Sequence, residues 1–280
     1  MRGPHPIQKG RMVIVSLLVV AYGLILGSFF NVLIHRIPEK QSIFRPASHC
    51  PKCLTPIKPW HNIPVISYLL LRGKCRFCKQ PISITYPLIE LITGAAALLI
   101  WHFYLPSLHP LTWYSITVFS VRALFLLLII PIAIIDLHHY IIPDLFTLPL
   151  LVIAAGIAFL PGNPTPLAAF YGILAGGGLL LAIGAIGSLI LKKDAMGGGD
   201  IKLMAGAGAL WGAQIALLSI LFGALLGSLY GVLLMITKKI NTEHQIPFGP
   251  FLGAGIWIAV LWGEKVMNAY LLFFDSLLGG

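Results

Sequence analysis

Residues 111–144 read LTWYSITVFSVRALFLLLIIPIAIIDLHHYIIPD. From Leu111 to Ile135 the run carries a single charged side chain, Arg122. Asp136, His138, His139, Pro143 and Asp144 then follow within nine residues. About 20 apolar residues cross the hydrocarbon core of a bilayer as a helix, the form that bonds every backbone group within one segment. The stretch therefore predicts a transmembrane helix that ends on an acidic boundary.

Similar runs lie on both sides. Met12–Ile34 is closed by His35, Arg36 and Pro38; no small-residue cleavage site follows it, so it reads as a retained helix and not as a signal peptide. Ile84–Leu105, Leu145–Leu160, Leu167–Leu191 and Ile246–Trp262 are further spans. Ile201–Ile236 is 36 residues, about 54 Å at 1.5 Å per residue, long for one span and short for two. A break near Trp211–Gln214 divides it. The expectation is an all-α polytopic membrane protein of about eight transmembrane helices. The first occupies 12–34, a polar loop domain 35–83, the remaining transmembrane domain 84–262 and a tail 263–280.

Composition agrees with a membrane protein. Hydrophobic residues are 58% and charged residues 10% of the 280, against roughly 45–50% and about 25% in soluble domains. The 19 basic and 9 acidic residues give a formal charge of +10. Nine of the basic residues lie between Arg36 and Lys79, and Lys192, Lys193, Lys202, Lys238 and Lys239 occupy later breaks. Positives gathered in loops between spans report orientation, whereas a nucleic-acid face would gather them on one surface with polar or aromatic readers. Nucleic acid is not an expected partner; the bilayer is. Counting spans puts the 35–83 loop, Asp136 and Asp200 on one membrane face, and the positive loops make that face cytoplasmic.

Gly223, Gly227 and Gly231 recur every four residues, and Gly172, Gly176 and Gly177 approach that pattern. Small residues let helices approach closely in lipid. Packing is their expected role.

The loop contains HCPKC (49–53) and GKCRFC (73–78). Two C-x-x-C pairs, Cys50/Cys53 and Cys75/Cys78, can close the four-coordinate shell of one structural Zn2+ and leave no open position for catalysis. Lys52, Lys74 and Arg76 favour thiolates there. Two disulfides, or four idle thiols, are the alternatives; disulfides need an oxidising compartment. His49 and His61 are surplus to a four-sulfur site.

Four acids stand at two breaks: Asp136, Asp144, Asp194 and Asp200. Asp144, after Pro143, suits a helix N-cap. Asp194 is expected in solvent. Asp200 opens a helix behind Gly197–Gly199, so capping alone could account for it. Asp136 ends a span, where the helix dipole disfavours a carboxylate. It calls for a cationic partner or for a second carboxyl sharing a proton. If Asp136 and Asp200 met, one could serve as general base for water and the other as general acid. Two other classes stay open on residues alone: a transporter with proton-relay aspartates, and a membrane adaptor that recruits partners through its zinc loop.

GSFFNVLIHRIP (27–38), the paired C-x-x-C loop, NIPVISYLLLRGKC (62–75), ITYPLIEL (84–91), DLHHYIIPD (136–144), GGGDIKLMA (197–205) and IPFGPFL (246–252) occur in the order seen in type IV prepilin peptidases. The chain resembles the bifunctional members of that family over Gly27–Leu252. The resemblance implies an aspartic endopeptidase of the bacterial inner membrane. It would remove the leader of type IV prepilins or pseudopilins and N-methylate the new terminus with S-adenosylmethionine. It carries the catalytic role onto Asp136 and Asp200 and the metal role onto Cys50, Cys53, Cys75 and Cys78. No compact motif marks the methyl-donor site; Arg36 and Glu90 are candidates, and Glu90 reads equally as a membrane-edge acid paired with a nearby Lys or Arg.

Overall fold

The computed structural model describes residues 6–104, 111–161, 164–237 and 246–278. Among these residues it is helical, with two isolated β-bridges and no strand. The chain falls into two compact units, residues 1–109 and 110–280.

In the first unit α1 (Pro6–Arg36) and α3 (Thr85–Tyr104) pack antiparallel. Glycines set the spacing. A Cβ at Gly27 would lie 2.6 Å from Glu90 Cα, and one at Gly23 would lie 2.8 Å from Gly94 Cα. Phe30, Leu33, Ile89, Ala97 and Ile100 fill the seam. The buried Asn31 amide donates to the carbonyls of Gly27 and Tyr86 at 3.2 and 3.1 Å, so its polar group stays satisfied. The intervening loop carries one short helix, α2 (Ile66–Leu70).

The second unit begins with α4 (Trp113–His139), opened by a reciprocal Thr112–Ser115 capping box and closed by Tyr140 in the left-handed conformation. Then come α5 (Asp144–Ile157), α6 (Pro166–Ile173), a π-helical turn at Leu174–Gly178 and α7 (Leu179–Leu191). The unit ends with α8 (Gly198–Ile236) and α9 (Gly249–Leu278). The helix α8 is the hub, packed by α5, α6 and α9. Gly172 and Gly208 meet backbone to backbone, and a Cβ at Gly255 would lie 2.7 Å from Gly223 N. The expected glycine-mediated packing is present. Residues 263–278, set apart by composition, continue α9 as helix.

Against the expected eight or so spans, the described residues contain six helices long and apolar enough to cross a membrane, with α5 a shorter apolar one. The difference lies chiefly in α8. Its break is where the sequence put it, at Gly212 (φ 84, ψ 176), but as a kink inside one 39-residue helix instead of a loop between two. A non-helical Gly212 interrupts the bond that the Leu210 carbonyl would accept. Arg122 Nη2 donates to that carbonyl at 3.1 Å. The lone charge of the 111–135 run thus serves a broken helix, where an unmet carbonyl in lipid would cost several kcal/mol.

Candidate active site and metal centre

Asp136 occupies the last turn of α4 and is 6% exposed; Asp200, 8% exposed, is the third residue of α8. Ile142 meets both Gly199, next to Asp200, and Gly249, whose N–H bonds Asp136, so the two acids share one neighbourhood. Asp136 Oδ2 accepts a 2.9 Å hydrogen bond from the N–H of Gly249, the first residue of α9. A helix N-terminus thus faces the carboxylate and offsets its place at the negative end of α4. The partner is therefore more than the cation or carboxyl that the sequence called for. IPFGPFL was visible as a motif, but nothing local tied it to Asp136, 113 residues away.

Capping does not account for Asp200. The N-cap is Gly197, with no side-chain cap, and Asp200 Oδ1 is buried without a hydrogen-bond partner. Buried polar atoms are nearly always bonded, so that oxygen is available to water or substrate. The glycines around the pair leave room for little else. A Cβ at Gly249 would lie 2.7 Å from Asp136 Oδ2, and one at Gly197 3.0 Å from Asp200 Oδ2. Ile142 of the turn after α4 packs against both sides. Its Cβ and Cδ1 lie 2.5 and 3.0 Å from where Cβ atoms of Gly199 and Gly249 would be.

Asp144 is not the N-cap of α5. Pro143 holds that position, and Asp144 in the first turn pairs with Lys202 Nζ at 2.5 Å. The pair ties the start of α5 to the first turns of α8, with the side chains 57% and 34% exposed. Asp194 is exposed, as expected. Glu90 Oε2 accepts from Val65 N–H at 2.7 Å. Val65 sits at φ 60, a conformation strained for a β-branched residue, and the buried carboxylate helps hold it.

The four cysteine sulfurs lie within 4.8 Å of one another, with Cys50 and Cys78 Sγ 3.9 Å apart. A tetrahedral zinc with bonds of about 2.3 Å spaces its sulfurs about 3.8 Å apart. The two knuckles are built alike. Cys50 N–H donates to Thr55 O, and Cys75 N–H donates to Gln80 O. Leu54 and Lys79, each following a second cysteine, take φ 58 and 59, and each turn closes on a bridge, His49–Pro56 or Lys74–Pro81. Hydrogen bonds from the Thr55 hydroxyl and backbone hold the Cys53 thiol down at about 6. The Gln80 N–H favours the thiolate of Cys78, but burial and the three neighbouring sulfurs outweigh it and push that thiol up to about 11. Four thiolates crowded together need a cation, so the donor set fits a divalent metal. His49 and His61 are not members of the cluster.

A buried carboxyl pair in a helical membrane unit and a four-cysteine knuckle in the preceding loop define the class: a polytopic membrane protein with an aspartate-pair site. Residues 21–104 match the bacterial peptidase A24 N-terminal domain, and residues 123–232 match the type IV leader peptidase family. Curated relatives named prepilin leader peptidase/N-methyltransferase include one from Pseudomonas aeruginosa, 36% identical and covering 92% of this chain and 93% of its own length. Others come from Aeromonas salmonicida (34%; 91% and 93%) and Neisseria gonorrhoeae (35%; 90% and 92%). No solved structure matches. The chain belongs to the type IV prepilin leader peptidase family.

Proposed function

We propose that this protein removes the leader peptide of type IV prepilins or pseudopilins with Asp136 and Asp200 and then N-methylates the new N-terminus. The observation that carries the peptidase reading is the partnerless, buried Asp200 Oδ1 beside a carboxylate anchored by Gly249 N–H. One carboxylate accepts a proton from water as its oxygen attacks the scissile carbonyl. The other, protonated, gives its proton to the departing nitrogen as the C–N bond breaks. The Gly249 N–H fixes one oxygen of Asp136, leaving Oδ1 for that exchange.

Cys50, Cys53, Cys75 and Cys78 are the residues that would hold a structural zinc, which would supply much of the loop's folding energy and no chemistry at the peptide bond. The protein lies in the bacterial inner membrane with the loop and both aspartates facing the cytoplasm, the side from which a basic leader would be presented. The proposed domain division is first helix 12–34, zinc loop 35–83, peptidase domain 84–262 and tail 263–280.

Purified protein incubated with a prepilin, with and without S-adenosylmethionine, tests the reading by intact mass. Leader loss in both conditions and one added methyl group only with the donor are expected. Asp136→Asn and Asp200→Asn should each abolish leader loss. Because parts of one catalytic unit are non-additive, the double variant should be no worse. Cleavage by Asp200→Asn at the wild-type rate would make the pair structural.

A further inference from the structure

The polar loop between α1 and α3 carries an apolar face on its one short helix. No residue of α2 is buried, and Ile66, Leu69 and Leu70 are 54%, 66% and 79% exposed. Three and four residues apart, they share one side of the helix, and Ile63 just before it is exposed as well. The other side of α2 faces its own loop. Ser67 Oγ accepts from Ile63 N–H at 2.9 Å, and a Cβ at Gly73 would lie 2.9 Å from the Tyr68 hydroxyl. Arg72 and Lys74 follow, both exposed. Two hydrogen bonds fix where this segment starts. Asn62 Nδ2 donates to Ser28 Oγ at 3.4 Å, and Val65 N–H donates to Glu90 Oε2 at 2.7 Å. Ser28 is eight residues from the loop-side end of α1 and Glu90 five from the start of α3, about 12 and 8 Å along those helices. Both helices are long and apolar enough to cross a membrane, and the headgroup layer on each side of a bilayer is about 5–8 Å deep. The loop therefore folds back beside its own spans, and α2 begins where headgroups give way to acyl chains.

We propose that α2 anchors the cysteine loop to the membrane surface. Ile63, Ile66, Leu69 and Leu70 rest at the boundary of headgroups and acyl chains, and Arg72 and Lys74 take the phosphates of anionic lipid. The inference needs only that α1 and α3 span the bilayer, and it is independent of the peptidase and methyltransferase readings. A cluster of exposed apolar side chains marks an interaction surface, and lipid is the occupant on three grounds. The first is depth: Phe29 of α1 and Leu91 of α3 are exposed at the same level, where lipid already lines both spans. The second is charge. Nine basic residues lie between Arg36 and Lys79 and the only acid there is Glu39; a metal held by four thiolates takes back only part of that excess. Basic segments beside a span are drawn to anionic leaflets. The third is layout. An apolar helix face with cations just beyond it is the pattern of helices that lie in the interface, and long cationic side chains reach from there to the headgroups. The second knuckle begins five residues beyond α2, so seating α2 also sets the height of Cys75 and Cys78 above the bilayer.

The test is photocrosslinking in a bilayer. The full chain, carrying p-benzoylphenylalanine in place of Leu70, is reconstituted into phosphatidylethanolamine vesicles with about 10% phosphatidylglycerol as the anionic component. Irradiation should join lipid to position 70, read by mass spectrometry. The same probe in place of Leu17, an exposed residue inside the first span, is the reference and should also take lipid. Phosphatidylglycerol should be enriched at least about threefold among adducts at position 70 over those at position 17. Arg72→Gln combined with Lys74→Gln should bring that ratio to parity while the adducts persist. The probe in place of Leu69, on the same face, should repeat the result, and an unchanged thermal midpoint shows that each variant is folded. Lipid adducts at position 17 with none at 69 or 70 would overturn the anchor. So would crosslinks from 69 and 70 to peptides of this chain or of a second copy in place of lipid. Equal lipid composition at positions 17 and 70 would overturn the phosphate contact.

Discussion

Replacing Gly249 by alanine isolates what the start of α9 does for Asp136. The added Cβ would lie 2.7 Å from Asp136 Oδ2, 3.0 Å from Ile142 Cδ1 and 3.2 Å from Asp136 Cγ. Ordinary contact begins near 3.4 Å, so the carboxyl has to retreat by about half an ångström or more. That movement stretches the 2.9 Å bond from Gly249 N–H. A hydrogen bond to a charged group contributes about 1.5–3 kcal/mol, and a displacement of about 1 Å at a reacting group can cost on the order of 100-fold. Gly249→Ala should therefore lower kcat for leader removal by roughly 10- to 100-fold. KM should move less than kcat, because the bond that is stretched orients the Asp136 carboxyl. Initial rates of prepilin conversion over a range of substrate concentrations, read by intact mass, give the two constants. Gly227→Ala is the control: its Cβ would meet the Phe251 ring at an ordinary 3.5 Å, in the α8–α9 contact two residues along α9 from Gly249. A Gly249→Ala enzyme with wild-type kcat would refute the positioning role, and so would a loss carried entirely by KM.

Metal analysis should find about one zinc per chain, and Cys53→Ser or Cys75→Ser should release it and expose the loop to protease; a reduced, folded preparation without metal speaks against the site. Once freed of metal, the four thiols should resist a membrane-impermeant reagent in intact cells and react in inverted vesicles; labelling in intact cells would reverse the orientation. Arg122→Leu leaves the Leu210 carbonyl without its donor and should lower stability by about 1–3 kcal/mol in denaturant titration, with partial rescue by Arg122→Lys. Asp144→Asn weakens an exposed pair with Lys202 and should cost no more than about 1 kcal/mol, with leader removal largely kept.

Most of the helices were legible because hydrocarbon imposes a simple rule: apolar runs of sufficient length become helices. The cysteine site was equally legible, because two C-x-x-C turns constrain their own sulfurs before any tertiary structure exists. The duplicated turn, with Leu54 and Lys79 in matching left-handed positions, is backbone detail that spacing does not disclose. Two kinds of feature were less visible. Gly212 looks like any of the 29 glycines until its positive φ is seen. Composition therefore located a break there without distinguishing a kink from a loop. Asp144 had the position of a cap, but Pro143 takes that place, and a lysine 58 residues away decides where the carboxylate points.

Asp136 shows why partial legibility still has force. Local physics said that a carboxylate at the negative end of its own helix needs compensation, and that much followed from the sequence. Local physics had no means of naming the source, since another helix supplies it by beginning against the carboxylate. The glycine at that junction serves two requirements at once. It exposes an N–H where a bulkier residue would crowd the acceptor, and it leaves Asp136 Oδ1 free. Asp200 meets the complementary condition, entering behind Gly197–Gly199 with one oxygen unmatched. Side-chain-free approaches around the two acids are costly in helix propensity, but a Cβ at Gly199 would press on Ile142, and one at Gly249 on Ile142 and Asp136. The proposed chemistry accounts for that cost, because it needs both carboxyls close together with an unblocked oxygen on each.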